Sequence, residues 1–233
     1  MPLRLDRVDA VLFDLDDTLV NWREAEAGAI KDLAAAHFEP RGVATAEVER
    51  VYAGVMAENV VSFRATQRWW YVAERLTMLT ERLGTAAAVP GDLLGGLFRE
   101  RVRARLALLP GAVEALAAAR AGRKVALLTN GPSEVQRPKV EQFGLATLVD
   151  FVGISGELGH WKPSPEAFLA VCRQLGVAPS RAVMVGDSED FDMLPAKALG
   201  MQTARVGRDP QPTCADVAVS VPAELVPLLR GNA

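Results

Sequence analysis

The sequence predicts an α/β fold, a doubly wound parallel sheet that carries an all-helical insertion after its first strand. Two observations predict the sheet: short apolar runs recur along the chain, and helix-like stretches that end at glycine separate them. Such runs are typical of strands buried on both faces of a parallel sheet. A third observation predicts the insertion, because residues 21–107 contain no comparable run and show a helical period instead.

The strands are predicted from the apolar runs alone. The first run, VDAVLFDL, is almost continuously apolar and ends in an acid. The runs KVALLT, FVGIS and AVMVG resemble it, and QTARV does so less regularly. The five predicted strands are residues 8–15, 124–129, 151–155, 182–186 and 202–206.

Helix signals fill the intervals between these strands. In the third interval, Ser164 is a candidate N-cap, Pro165 suits the first helical position and Gly176 suits the left-handed position after the last turn. The predicted helices of the core are about residues 111–121, 134–143, 165–175 and 190–199.

The insertion is predicted to be a domain of its own. One of its helical faces is expected to carry Trp69, Val72, Ala73, Leu76, Leu79 and Leu83, with Gly84 as terminator. The predicted domains are a catalytic core of residues 1–20 and 108–233 and a helical domain of residues 21–107.

Composition narrows the possible partners and the compartment. The net charge of −3 does not favour nucleic acid or an anionic membrane as partner, and no apolar run is long enough for a transmembrane helix. Cys172 and Cys214 lie far apart, which favours a reducing cytoplasm over a disulfide scaffold. We therefore expect a cytoplasmic protein, a monomer or a homodimer, that acts on a small molecule.

The first polar cluster, DLDDT, stands where the first strand ends. Side chains alternate along an extended chain, so the carboxylates of Asp14 and Asp16 should face the same crevice at the carboxyl edge of the sheet. Asp14 could attack phosphorus in line and form a covalent intermediate. Asp16 would protonate the leaving oxygen and later accept a proton from water.

Three further clusters follow later strands. Thr129 and Asn130, in Thr-Asn-Gly, would cradle a phosphate through the hydroxyl and backbone N–H groups. Lys162 would bind phosphate and pair with Asp14. In the fourth cluster, GDSEDFD, Asp187 is a candidate metal ligand, and Asp192 would help to place Lys162 or a metal-bound water. An alternative interpretation of Asp192 is that it only caps its helix or solvates it.

These acids predict a cation. Carboxylates that converge on one crevice repel one another unless a positive charge neutralises them. Because the candidate ligands are all oxygen atoms, Mg²⁺ is favoured over zinc. The sequence therefore predicts a Mg²⁺-dependent phosphoryl transfer.

The four clusters, in this order, resemble the four motifs of the haloacid dehalogenase superfamily. The resemblance covers the whole chain and implies a Rossmann-like core with an inserted α-helical cap domain. It implies that Asp14 is the nucleophile, that Asp16 is the general acid/base, and that Thr129 and Lys162 bind phosphate. It further implies that Mg²⁺ is bound by the Asp14 carboxylate, the Asp16 backbone carbonyl and Asp187. One departure is Phe191, where family members often carry Asn.

Within this resemblance a phosphatase acting on a small phosphorylated metabolite is the favoured function. The superfamily's 2-haloacid dehalogenases have no carboxylic acid two residues after the nucleophile, so Asp16 argues against that alternative. A phosphosugar mutase keeps the same acids and stays open. The non-enzymatic alternatives are a phospho-acceptor and a retired phosphatase that serves as a binding protein.

Overall fold

A computed structural model of the chain describes residues 3–207 and 212–231, and the other positions of the predicted core lie outside the described residues. The chain divides into two compact units. One comprises the chain up to Asn21 and from Ala107 onward, and the other is Trp22–Leu106. In the described residues, all strands belong to the first unit and the second unit is helical.

The helical unit, Trp22–Leu106, encloses its own apolar core. Its α-helices are α1 (Trp22–Leu33), α2 (Thr45–Thr66), α3 (Val72–Arg82) and α4 (Gly91–Arg105). Leu76 and Leu79 of α3 pack with Leu94 and Phe98 of α4, and all four side chains are fully buried. These positions are three or four residues apart, so each helix turns one apolar stripe inward.

One predicted helical face was wrong at its start. Trp69 lies before α3 rather than on it, and its ring stacks on Phe63 with centroids 4.3 Å apart. The helix begins only at Val72, where the Tyr71 N–H bonds the Glu74 carboxylate in a capping box. Apolar spacing alone could not show this boundary, because Trp69 continues the helical period.

The first unit is built on a parallel sheet. Its strands are β1 (Ala10–Phe13), β2 (Lys124–Thr129), β3 (Phe151–Ile154), β4 (Ala182–Gly186), β5 (Gln202–Val206) and β6 (Val217–Val219). Within the described residues they form a six-stranded sheet in the order β3-β2-β1-β4-β5-β6, and every neighbouring pair is parallel. The strand order therefore reverses between β1 and β4, which confirms the predicted doubly wound fold class.

The sheet carries helices that complete its core. They are α5 (Ala112–Ala119), α6 (Ser133–Gln142), α7 (Ser155–Leu158), α8 (Pro165–Leu175), α9 (Leu194–Ala198) and α10 (Leu225–Arg230). All four residues of β1 are fully buried, and two of them, Ala10 and Leu12, pack with Phe168 and Val171 of α8. Burial on both faces is the reason that β1 is apolar throughout.

Three local features differ from the predictions. The first strand spans only Ala10–Phe13, and β6 had no prediction because three residues give no readable period. The predicted helix 190–199 is a π-helical turn, Glu189–Met193, followed by the short α9. Among the described helices, none is long and apolar enough to cross a membrane.

Two adjacent leucines of α4 allow a matched test of the helical core. Leu94 is fully buried, whereas Leu93 is 58% exposed. We expect Leu94→Ala to lower the free energy of unfolding by about 2–5 kcal/mol through the lost burial and the cavity left behind. Leu93→Ala should change it by about 0.5 kcal/mol or less. Chemical denaturation of both variants measures the difference, and equal effects would contradict this packing.

Candidate active site

Polar side chains gather at the carboxyl edge of the sheet, where the strand order reverses. Asp14 directly follows β1, and its N–H donates to the Val185 carbonyl of β4 at 2.8 Å. Asp187 directly follows β4, and Thr129 is the last residue of β2. Ligands of open α/β sheets bind at such an edge. Strands distant in sequence thus bring these side chains to one region.

A buried lysine joins two of the predicted acids. The Nζ of Lys162 donates to Asp14 Oδ1 at 2.7 Å and to Asp192 Oδ1 at 2.6 Å. All three residues are almost inaccessible to solvent, with Asp192 fully buried. Burial alone would lower the pKa of Lys162, but the two carboxylates outweigh it and raise that pKa above its ordinary value. We call this set, Asp14, Lys162 and Asp192, the Lys162 network.

The Lys162 network carries more negative than positive charge. Burial is the main cause that raises the pKa of Asp14. The Lys162 ammonium lowers that pKa and the Asp192 carboxylate raises it further, and the resulting value is about 7. Burial also raises the pKa of Asp192, again against the effect of Lys162. One ammonium therefore does not stabilise both carboxylates as ions, and a further positive charge would.

An acidic group stands where such a charge would bind. One carboxylate oxygen each from Asp14, Asp187 and Asp192 lies within 4.8 Å of the others. Three hard oxygen donors, offset by one lysine, fit a divalent cation such as Mg²⁺. The Asp16 side chain is not in this group. The resemblance implies that Asp16 contacts the metal through its backbone carbonyl, so the Asp16 carboxylate is not expected in this group.

Asp192 is held in place from two sides. Its Oδ2 accepts a hydrogen bond from the Ser188 N–H at 3.1 Å, while Oδ1 faces Lys162. A Cβ at Gly186 would lie 2.5 Å from the Asp192 carboxyl carbon, so this approach requires glycine at the end of β4. Asp192 therefore contacts both Lys162 and the backbone of Ser188, whose own hydroxyl caps the helical turn, and its burial does not fit the solvated alternative.

Asp16 belongs to a second set of contacts. Lys139 Nζ lies 2.8 Å from both carboxylate oxygens of Asp16. Gln136 Nε2 lies 3.0 Å from Asp16 Oδ2 and 2.6 Å from Thr129 Oγ1. Gly131 adopts φ 147°, and a Cβ there would lie 2.6 Å from the Gln136 side chain. We call Asp16, Lys139, Gln136 and Thr129 the Lys139 network.

Asn130 connects the two networks. Its Nδ2 donates to the Lys162 carbonyl at 2.8 Å, and its Oδ1 accepts from the Lys162 N–H at 2.8 Å and the Ser155 hydroxyl at 2.7 Å. Its own carbonyl accepts from Gln136 Nε2 at 2.9 Å. Because these contacts engage the side-chain amide, a phosphate contact at Asn130 would come from the backbone N–H.

Sequence reasoning missed Gln136 and Lys139. Both lie on α6, three residues apart, and are 1% and 3% exposed. A lysine and a glutamine on a polar helix are ordinarily solvated, so composition gave no signal. The available signal was position, because α6 begins directly after the Thr-Asn-Gly turn and its first turns must pass the site.

The comparisons with known proteins identify the family of this chain. The haloacid dehalogenase-like hydrolase family matches residues 8–200, a span that contains both networks. A phosphoserine phosphatase of Thermus thermophilus is 33% identical over 232 residues, which cover 87% of this chain and 90% of that protein. A glyceraldehyde 3-phosphate phosphatase of Methanopyrus kandleri is 30% identical over 239 residues, which cover 96% and 97%.

A solved structure shares the fold. It is a haloacid dehalogenase-type hydrolase of Bacillus subtilis, YfnB, crystallised bound to magnesium. The TM-score is 0.77 at 23% identity, over 96% of this chain and 99% of that one. At this identity the likeness concerns the fold alone. The family match over most of the chain, together with the two curated relatives, shows that this protein belongs to the haloacid dehalogenase-like hydrolases.

Proposed function

We propose that this protein is a Mg²⁺-dependent phosphomonoester hydrolase that acts on a small phosphorylated metabolite through an aspartyl-phosphate on Asp14. The observation that carries the proposal is the buried Asp14 carboxylate, which pairs with Lys162 beside Asp187 and Asp192. Family membership and the two phosphatase relatives support the same reaction class.

The metal would be held by the Asp14 carboxylate, the Asp16 backbone carbonyl and Asp187, with Asp192 beside them. When bound, Mg²⁺ supplies positive charge that keeps Asp14 ionised and shields it from the negative phosphate. The charge excess of the Lys162 network supports this assignment, because Asp14 and Asp192 share a single ammonium.

Asp14 is the nucleophile in this proposal. Its carboxylate oxygen bonds to phosphorus as the bond from phosphorus to the leaving oxygen breaks. Lys162 fixes the direction of the carboxylate and also contributes positive charge to the phosphate site, together with the Thr129 hydroxyl and the Asn130 N–H. The short contact of Lys162 with Asp14 supports the orienting role.

Asp16 is the general acid and base. It donates a proton to the leaving oxygen in the first step and removes one from the attacking water in the second. Its carboxyl is half-buried beside Thr129, to which it is linked through Gln136. An acid at this position also distinguishes phosphoryl transfer from dehalogenation, as the sequence resemblance implied.

The substrate we propose is a small metabolite with a poor, alkyl-type leaving group. Phosphoserine and glyceraldehyde 3-phosphate, in the names of the two relatives, are esters of this kind. Such alkoxides need protonation as they leave, which gives Asp16 its function. The two relatives differ in substrate, so the class rather than one compound follows from them.

We further propose a cytoplasmic enzyme, monomeric or homodimeric. Cys172 and Cys214 are free thiols, and burial is the main cause that raises the pKa of each to about 11. Two cysteines that form no disulfide fit a reducing compartment.

The first test is turnover. We expect hydrolysis of p-nitrophenyl phosphate and of members of a phosphometabolite panel with Mg²⁺, and its loss with EDTA. Asp14→Asn should lower kcat by ~10³-fold or more, because it removes the nucleophile. Asp190→Asn, an exposed acid on the adjoining π-helical turn, is the control and should keep full turnover. An inert wild-type protein on the whole panel would refute the phosphatase.

The second test detects the covalent intermediate. Asp16→Asn should slow hydrolysis of the aspartyl-phosphate, because no base then activates the water. Intact-mass measurement after brief incubation with p-nitrophenyl phosphate should show one added phosphoryl group. The double variant Asp14→Asn with Asp16→Asn should show none. Normal turnover of Asp16→Asn without an adduct would remove Asp16 from this role.

The third test concerns pH. Burial raises the pKa of Asp14 from 3.8 to about 7. This group therefore favours the folded state at low pH, and that contribution is lost as pH rises through about 7. Mg²⁺ needs the ionised carboxylate and must displace the proton below that pH. We expect Mg²⁺ to raise Tm more near pH 8 than near pH 5.5, and Asp14→Asn to remove the difference. Equal shifts in the wild type would contradict it.

The fourth test concerns Asp192. A Cβ at Gly186 would displace the Asp192 carboxyl, and with it Lys162. We expect Gly186→Ala to lower kcat by ~10²-fold, since small displacements of catalytic groups have such effects. Gly54→Ala is the control, because a Cβ there meets no atom within 4 Å. Full activity of Gly186→Ala would show that the position of Asp192 does not matter for turnover.

A further inference from the structure

The Lys139 network is built around a lysine that the proposed mechanism does not use. Lys139 Nζ lies 2.8 Å from each oxygen of Asp16, and its side chain is only 4% exposed. The carboxylate it faces is 23% exposed and is therefore open on one side. A lysine removed from water is unfavourable unless a partner compensates it, so this contact is a specific arrangement.

Gln136 restrains the same carboxylate from a second direction. Gln136 and Lys139 are three residues apart on α6, so both reach Asp16 from one helix face. Gln136 Nε2 lies within 3.0 Å of acceptors on Asp16, Thr129 and Asn130, although an amide nitrogen carries only two hydrogens. The amide therefore fixes Asp16 relative to the Thr-Asn-Gly turn.

The other end of the Gln136 amide, the Oε1 atom, lacks the contacts that the nitrogen makes. Among the buried side-chain atoms of the described residues, Gln136 Oε1 is one of those without a hydrogen-bond partner. Unsatisfied buried acceptors destabilise a fold, and such exceptions call for another reason. Restraint of the groups at the site is such a reason.

A second lysine–aspartate pair of the same unit, Lys197 and Asp216, serves as a comparison for the pair of Lys139 and Asp16. Lys197 Nζ lies 2.6 Å from Asp216 Oδ1, and Asp216 bonds Thr203 of β5. The side chains of Lys197 and Asp216 are 33% and 21% exposed, so this pair is more open to solvent than Lys139. The Lys139 pair, by contrast, ends on the acid that is proposed to transfer protons.

We propose that Lys139 and Gln136 are positioning residues that orient the Asp16 carboxyl for proton transfer to the leaving oxygen, an inference that rests on the proposed function. In the first step Asp16, in its protonated form, gives its proton to the leaving oxygen as the bond from Asp14 to phosphorus forms and the bond from phosphorus to that oxygen breaks; the alcohol departs. Asp16 is then a carboxylate, and the ammonium and amide lie beside both of its oxygens. Preorganised donors at a developing charge lower a barrier.

Proton donation by Asp16 should matter only for substrates whose leaving group needs a proton. An alkyl phosphate needs protonation as its leaving group departs, whereas dinitrophenolate leaves without it. Loss of the orienting groups should therefore affect alkyl esters and spare 2,4-dinitrophenyl phosphate. A merely structural role of Lys139 would lower both reactions equally, since the amount of folded enzyme would fall.

The experiment measures kcat/KM with phosphoserine, glycerol 3-phosphate and 2,4-dinitrophenyl phosphate. We expect Lys139→Met to lower the values for the alkyl esters by ~10²-fold and the value for the aryl ester by less than ~3-fold. Lys139→Arg keeps a charged donor for the carboxylate and should restore most of the loss. Lys197→Met is the control and should leave the ratio of alkyl to aryl values unchanged.

A double variant tests whether Lys139 acts through Asp16. In the Asp16→Asn background, Lys139→Met should have no further effect on the alkyl esters. If Lys139→Met does not fold, Gln136→Leu must show the same selective loss. A ratio unchanged by both variants overturns the inference while the phosphatase stands. A wild type without turnover overturns the proposed function, and this inference with it.

Discussion

The interaction on which the site depends is the buried ammonium of Lys162 between two carboxylates. Lys162 contacts Asp14 and Asp192 at 2.7 and 2.6 Å in surroundings that solvent hardly reaches. Removal of one partner from such a cluster would leave an uncompensated buried charge. With Asp187 close by, the acids still outnumber the lysine. The excess of negative charge at this edge supports the divalent cation that we propose, which would also favour the ionised form of Asp14.

The sheet makes this cluster possible by bringing distant residues to one edge. Asp14 and Lys162 are 148 positions apart, yet both lie near the reversal of strand order. The close contacts in this cluster also require positions without a side chain. Gly186 leaves room for the Asp192 carboxyl, and Gly131 leaves room for the Gln136 side chain. These glycines are consequences of crowding around the charged groups.

The two acids Asp14 and Asp16 of the DLDDT cluster contact different lysines. Asp14 is paired with Lys162, whereas Asp16 is paired with Lys139 from α6. Asn130 bonds the backbone of Lys162 and accepts from Gln136, so it holds the two networks at a fixed spacing. In the proposed mechanism, a nucleophile and a proton-transfer group with independent partners can differ in charge state although they are only two positions apart.

The sequence by itself determined the fold class, the strands that lead to the site and the acids at their ends. Those features are local, since apolar runs, caps and turn residues act over a few positions. Only the tertiary structure decided that Lys139 and Gln136 face Asp16, that the Asn130 side chain holds Lys162, and that Asp192 contacts Lys162 while it bonds Ser188. These contacts arise from strand order and from the docking of α6, and no spacing within one segment encodes which distant side chain it will meet.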